Sequence, residues 1–244
     1  MARNSFNTDN FLNIARGRIP FTSHINKFGY NFSVGSTYEV ICDLGTHSYP
    51  TSAGVVSIVS ASTADDGDPE GTGARTVEIQ GLDGDYNPLI ETVTMNGTSA
   101  VTTTNSFIRL FRMRVVSAGT GLVNAGNITA SIGGTDIARI LADKGQTLMA
   151  VYTVPAGKDA FLIKFQGTLS KNQEANFRLR VKEIDDGTSY NVKGIFGTFA
   201  NSITYDYPIP LKFKEKTDIE IQGKAGATSE MGAIFDLILI DNTR

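Results

Sequence analysis

The chain alternates short apolar runs with polar turn signals, and this rhythm predicts β-strands from residue 37 to the C-terminus. Residues 176–184 show the pattern clearly, because Phe177, Leu179 and Val181 fall on one face of a strand and polar residues on the other. Asn96-Gly97 is a strong hairpin signal, since both central positions of the tight turn require positive φ. No stretch of about twelve residues carries a helical period.

The strand-like runs recur about every 8–12 residues, which is typical of β-sandwiches rather than βαβ units. A polar turn at residues 142–146 separates two such series. We therefore predict an all-β fold: two tandem β-sandwich (jelly-roll-like) domains, at 37–143 and 144–244, preceded by an extended N-terminal arm at 1–36. Residues 77–81 (VEIQG) are echoed by residues 219–223 (IEIQG), which leaves an internal duplication open.

The first 36 residues carry many apolar side chains without a period of 2 or 3.6. Residues 1–30 have a net charge of +3, whereas the remainder of the chain carries −6. One interpretation is a plain solvated tail. Disordered segments are depleted in aromatic residues, however, so we favour an arm that a partner buries. The predicted partner-binding residues are Arg3, Phe6, Phe11, Arg16, Arg18, Phe21, Lys27 and Phe28.

Composition narrows the class of protein. With 41% hydrophobic and 19% charged residues, the chain is too apolar for a disordered protein. No apolar run approaches the roughly 18 residues of a spanning helix, and polar residues interrupt any secretory signal in the first 20. The single cysteine, Cys42, excludes an internal disulfide. We therefore expect a soluble protein without a membrane partner, synthesised in a reducing compartment or indifferent to one.

Catalytic chemistry has few candidates in this sequence. His24 and His47 are the two histidines, and neither has a serine in a strained G-x-S-x-G turn. Cys42 lies within a strand and is predicted to be a small buried hydrophobe. We therefore predict no catalytic residue, no cofactor and no enzyme activity.

The loop at 65–70 holds Asp65, Asp66, Asp68 and Glu70, a weak calcium candidate. The spacing is not that of an EF-hand, and a solvated loop tip is the alternative interpretation.

The arginines at 109, 112 and 114 raise the question of nucleic-acid binding. Arg112 and Arg114 share one strand face, and Arg109 lies on the opposite one. The acidic balance outside the arm is unfavourable for a surface that follows phosphates. We predict cross-strand ion pairs for these residues and no nucleic-acid partner.

Several motifs resemble a group of structural proteins from tailed bacteriophages of aquatic bacteria. The likeness covers most of the chain, and its motifs lie at residues 24–31, 62–66, 71–77, 79–83, 86–87, 91–98, 215–219 and 235–239. The resemblance implies a virion protein that is synthesised in the bacterial host cytoplasm. The group supplies no catalytic or metal-binding residues to carry over.

Together these observations favour a non-enzymatic capsid decoration (cement) protein on the capsid surface. Its partners would be the major capsid protein and further copies of itself, and local three-fold positions on a shell favour a homotrimer. The alternatives are a tail, baseplate or head-fibre component and a host-glycan-binding β-sandwich module.

Overall fold

The computed structural model describes residues 6–187 and 189–242, and the fold in these ranges is nearly all β. The chain begins with one α-helix, α1 (Phe6–Ala15), and a short 3₁₀ helix lies at Ile184–Asp186. The strands are β1 (Thr22–Val34), β2 (Glu39–Val40), β3 (Gly54–Ser60), β4 (Ala74–Leu82), β5 (Pro88–Thr94), β6 (Val101–Phe107), β7 (Arg109–Ala118), β8 (Ile128–Ile132), β9 (Thr135–Ile140), β10 (Val151–Thr153), β11 (Lys158–Leu169), β12 (Ala175–Lys182), β13 (Asn191–Thr198), β14 (Ser202–Phe213), β15 (Asp218–Ala225) and β16 (Ser229–Asp241).

The structure contains two sandwiches, and the one that we call the second sandwich is built from both ends of the chain. Its strands pair in a nested, antiparallel way: β1 with β16, β10 with β15, β11 with β14 and β12 with β13. Two sheets result, in the orders β1-β16-β11-β14 and β10-β15-β12-β13, with β2 beside β15. Eight main strands folded as one long, rolled hairpin have the connectivity of a jelly roll. Its core contains Leu162, Phe165, Phe177, Ile221 and Phe235.

The first sandwich is inserted between β2 and β10. Its sheets have the orders β6-β3-β8-β9 and β5-β4-β7. Val56, Ile79, Phe107 and Met113 are buried between them, since alternate residues of each strand point inward.

The two cores share one layer of backbone. In the segment that contains β2, Val40 and Cys42 pack in the first core, whereas Ile41 packs in the second. Around β10 the same alternation holds, with Val151 in the first core and Tyr152 in the second. Strand β1 closes the second core over this layer at Gly29, where a Cβ would lie 2.1 Å from the carbonyl oxygen of Ile41. The two sandwiches are therefore joined by buried packing rather than by a linker.

The prediction of an all-β fold with jelly-roll-like sandwiches is confirmed. The extended arm over residues 1–36 is corrected, because residues 6–15 form α1 and residues 22–34 form a strand paired with β16. The physical reason is that β16 offers a free edge, and β1 places Gly29, Asn31 and Val34 on the buried side. The predicted boundaries 37–143 and 144–244 place residues 39–41 in the first sandwich, but the backbone of Glu39 and Val40 pairs with β15 of the second sandwich, and Ile41 packs in its core.

Within the described residues, no helix is both long and apolar enough to cross a membrane.

Candidate interaction surface

The outer face of the sheet β1-β16-β11-β14 carries an apolar groove. Phe28, Tyr30 and Phe32 alternate along β1 and project to this face, because residues two apart share one side of a strand. Ile234 of β16 lines the groove opposite them, and Gln166 and Thr168 of β11 close its far side. The groove has a cavity volume of about 400 Å³. We call it the sheet groove.

Helix α1 lies on the same face, next to the sheet groove. Phe11, Ile14 and Ala15 line a smaller cleft of about 270 Å³ against β1, β11 and β16. The helix ends at Ala15, and Gly17 follows it at a φ of 65°, the left-handed conformation that commonly terminates helices. Within the helix, Phe11 is 49% exposed and Leu12 is 47% exposed. The helix thus adds unburied apolar side chains to the face that carries the groove.

Charge on this face is positive near the helix. Arg16 and Arg18 are exposed, and neither forms an ion pair with a described residue. The carboxylates of the face are already engaged: Asp236 accepts hydrogen bonds from His24 and Asn26. The hydroxyl of Tyr30 donates to Glu230 at 2.5 Å. Burial, together with this bond, raises the pKa of Tyr30 to about 12.

The predicted partner-binding residues lie in different environments and do not form one surface. Phe11, Arg16, Arg18 and Phe21 are exposed, and Phe28 lines the sheet groove. Lys27 is buried on the inner side of β1, so it is corrected from an arm residue to an interior one. Phe6 is the first residue of α1, and Arg3 lies outside the described residues.

The sequence prediction omitted Tyr30, Phe32 and Ile234 from the interaction surface. The alternation of aromatic residues at 28, 30 and 32 was the available signal for the first two, because it is the period of a strand with one aromatic face. Ile234 carried no such signal, since its position beside β1 depends on a pairing between residues about 200 positions apart.

The acidic loop at 65–70 is arranged around Asp65, which is fully buried. Its two carboxylate oxygens accept hydrogen bonds from Ser60 Oγ and from the backbone N–H groups of Ala74, Ala125 and Gly126, at 2.6–2.9 Å. Glu70 instead pairs with Arg75 at 2.8 Å. Among the described residues no group of three His, Cys, Asp or Glu side chains is placed to hold a metal ion.

The arginines of β7 have different partners. Arg114 forms a two-pronged, cross-strand bond to Glu78 at 2.8 and 3.1 Å, at an exposed position. Arg109 is buried and binds both carboxylate oxygens of Asp218, at 2.7 and 2.9 Å. This second pair connects the two sandwiches. Cys42 is buried as predicted, and burial raises the pKa of its thiol to about 12.

The two copies of the repeated motif have the same bonding in different surroundings. Gln80 donates to Glu78 and Gln222 donates to Glu220, and each glutamate accepts from an arginine on the adjacent strand. The bond from Arg114 lowers the pKa of Glu78, which lies near solvent. Burial raises the pKa of Glu220 despite Arg180, and Oε2 of Glu220 has no hydrogen-bond partner among the described residues. Burial therefore reverses the direction of the shift.

The opposite pKa shifts of Glu78 and Glu220 predict opposite changes in stability when the charge of each residue is removed. Because the folded pKa of Glu220 is raised, its contribution to stability is greatest below the ordinary pKa of 4.5 and is lost as pH rises through the folded value. We expect Glu220→Gln to raise Tm by about 3 °C at pH 7.5, and the gain to shrink toward pH 4.5. Differential scanning fluorimetry across this range measures both quantities.

Glu78→Gln is the matched control. It removes an exposed ion pair, so we expect a small loss of stability at pH 7.5, less than about 1 kcal/mol, that shrinks as pH falls. A lower Tm for Glu220→Gln at pH 7.5 would contradict the prediction, because it would mean that the bond to Arg180 outweighs the burial of the charge.

Comparison with known proteins gives weak matches. No family model matches the chain, and no curated protein matches its sequence. Two solved structures align at a TM-score of 0.26 and 10% identity over 91% of this chain: one of a triple jelly-roll turret assembly from an archaeal virus, and one of infectious bursal disease virus, Gx strain. The chain spans 60% of the first and 72% of the second. Similarity at this level supports no argument about the function of the chain.

Proposed function

We propose that the protein is a non-enzymatic structural component of a bacteriophage virion, a capsid decoration (cement) protein that binds and stabilises the shell of the major capsid protein. The observation that carries the proposal is the face formed by α1 and the sheet groove. This face presents unburied aromatic residues, and exposed apolar surface of this kind marks sites of protein association. The resemblance of several motifs to those of phage structural proteins favours a phage origin.

The chemistry of the face specifies the partner. Phe11, Phe28 and Phe32 require an apolar counterpart, and Arg16 and Arg18 favour acidic side chains at its rim. We propose the major capsid protein as the partner, because a decoration protein binds to the outer surface of the shell that the major capsid protein forms. We propose that the decoration protein occupies local three-fold positions as a homotrimer.

Truncation tests the role of the face. Deletion of residues 1–18 removes α1 and both arginines but leaves β1 and its pairing with β16 intact. We therefore expect a folded protein whose affinity for capsids that lack it falls by about tenfold or more. Co-sedimentation with such capsids measures binding, and the far-UV circular dichroism spectrum measures folding.

Point variants provide the control. Phe32→Ser should weaken capsid binding, whereas Ile90→Ser, at an exposed apolar position on β5 of the first sandwich, should not. Undiminished binding by both the truncated chain and Phe32→Ser would refute the role of this face. Hundreds of copies per virion support a decoration protein; a dozen or fewer would instead identify a tail, baseplate or head-fibre component.

A further inference from the structure

A cleft lies where β1 of the second sandwich meets β4 and β7 of the first. It has a volume of about 120 Å³, and its lining includes Asn26, Lys27, Gln80, Phe111 and Arg112. It is separate from the sheet groove, because the two share no lining residue. Two of its side chains, Lys27 and Arg112, are cationic.

Lys27 is an incompletely satisfied cation. Its side chain is buried, with 4% of the residue exposed. The ammonium group has three N–H donors, and its hydrogen bond among the described residues goes to the carbonyl oxygen of Phe111. The ring of Phe111 lies 5.6 Å from Nζ. Burial and the nearby Arg112 hold the pKa of Lys27 well below its ordinary value, which reflects the lack of a counter-charge.

The surrounding carboxylates do not supply that charge. Arg112 donates to the backbone oxygen of Asn26 at 3.4 Å and forms no ion pair with a described residue. Asp236 is engaged by His24 and Asn26, and Glu78 is engaged by Arg114 and Gln80. Two cations therefore meet at one cleft, and neither forms an ion pair with a carboxylate of the described residues.

We infer that this cleft binds a small oxyanion, a phosphate or carboxylate group, between Lys27 and Arg112. An oxyanion supplies acceptors for the free N–H groups of Lys27 and cancels the repulsion between the two cations. Arg112 presents a planar set of donors that fits such a group, and Asn26 and Gln80 add polar walls. The inference is independent of the proposed virion role.

The test uses the full-length protein with inorganic phosphate and with acetate, at constant ionic strength in chloride. We expect saturable binding in isothermal titration calorimetry and a rise in Tm with anion concentration. Lys27→Met and Arg112→Gln should each weaken binding by about tenfold or more. Arg114→Gln is the control, because it removes a neighbouring cation that is already paired, and its affinity should stay within about twofold of the wild type.

A second measurement separates anion binding from a structural role of Lys27. An anion beside the ammonium favours its charged form, so binding above the folded pKa of Lys27 takes up a proton. The heat of binding will then depend on the ionisation enthalpy of the buffer. We expect this dependence to vanish in Lys27→Met, whose Tm without anion should equal or exceed that of the wild type, since a buried charge has been removed.

Each outcome decides the inference. Loss of binding in both cleft variants, with retention in Arg114→Gln, supports it, and the tighter of phosphate and acetate identifies the group that the cleft accepts. The inference is overturned by the absence of saturable binding of either anion, or by unchanged affinity in Arg112→Gln, a variant whose half-buried site tolerates the change even if Lys27→Met does not fold.

Discussion

Arg109→Met is expected to lower the free energy of unfolding by about 3–5 kcal/mol. The guanidinium of Arg109 binds both oxygens of Asp218 and donates to the carbonyl oxygens of Pro50 and Ile108 at 2.8 Å. The rings of Tyr49 and Tyr86 lie 5.2 and 5.4 Å from its central carbon. Removal of the cation leaves Asp218 buried with Thr153 as its remaining side-chain donor. Chemical denaturation followed by circular dichroism measures the loss.

Arg114→Met is the matched control for this substitution. Arg114 and Arg109 lie on the same strand and make bidentate bonds of similar length to a carboxylate, but the side chain of Arg114 is 51% exposed and that of Arg109 is 7% exposed. We therefore expect Arg114→Met to cost less than about 1 kcal/mol. Equal losses for the two variants would contradict the argument that burial, rather than pairing, sets the magnitude.

The double variant Arg109→Met/Asp218→Leu completes the cycle. Removing both charges avoids an uncompensated buried ion, so the double variant should be more stable than either single variant. If the losses simply add, the two groups are not coupled across the interface. The cycle therefore measures the coupling free energy between Arg109 and Asp218 across the interface.

The local features of the fold could be predicted from the sequence because they depend on neighbouring residues. Strand β12 follows the predicted alternation, with Phe177, Leu179 and Val181 buried. Residues 96–99 form a turn as predicted, but its central residues are Gly97, at a φ of 53°, and Thr98, since the N–H of Ser99 donates to the carbonyl oxygen of Asn96. The predicted hairpin is not formed, because the flanking strands β5 and β6 belong to different sheets. Period and turn chemistry are properties of a few consecutive residues, so they remain readable without the partner strands.

Long-range pairing could not be predicted in the same way. Strand β1 is predicted as part of an arm because its aromatic residues lie on the outer face: Phe28, Tyr30 and Phe32 line the sheet groove. Its buried side carries Lys27, Gly29 and Asn31, which is the reverse of the apolar-inward pattern of a core strand. Its partner β16 lies about 200 residues away, and nothing local records that register.

The partners of the charged residues could also be predicted only where they lie on neighbouring strands. The predicted ion pairing of the β7 arginines holds for Arg114, whose partner is on the next strand. For Arg109 the partner belongs to the other sandwich, and nothing in the residues near Lys27 indicates its burial. The composition gives the number of charged residues, but the environment of each depends on how the first sandwich packs against the second. The cleft at Lys27 and the pair at Arg109 are both products of that packing.

Asp65→Ala is expected to lower the free energy of unfolding by about 4 kcal/mol. The substitution removes four hydrogen bonds to a buried carboxylate and leaves the N–H groups of Ala74, Ala125 and Gly126 without their acceptor. These groups lie at the start of β4 and in the loop before β8, so Asp65 holds two separate segments of the first sandwich together. Urea denaturation measures the effect.

Two further variants test whether the lost hydrogen bonds of the Asp65 carboxylate cause this destabilisation. Asp65→Asn keeps the shape but turns one acceptor into a donor that faces existing donors, so we expect a loss of about 2 kcal/mol. Asp85→Ala, at an exposed turn, should change stability by less than about 0.5 kcal/mol. A loss below about 1 kcal/mol for Asp65→Ala would contradict the proposed role of the carboxylate.

The same carboxylate decides the calcium hypothesis for residues 65–70. A calcium ion requires several free oxygen ligands, and both oxygens of Asp65 already accept two protein hydrogen bonds each. We therefore expect millimolar CaCl₂ to leave the Tm of the wild type unchanged relative to the same ionic strength of NaCl. A calcium-dependent rise in Tm that disappears in Asp68→Asn would show instead that the exposed carboxylates bind the ion without Asp65, since Asp68 lies outside this hydrogen-bond network.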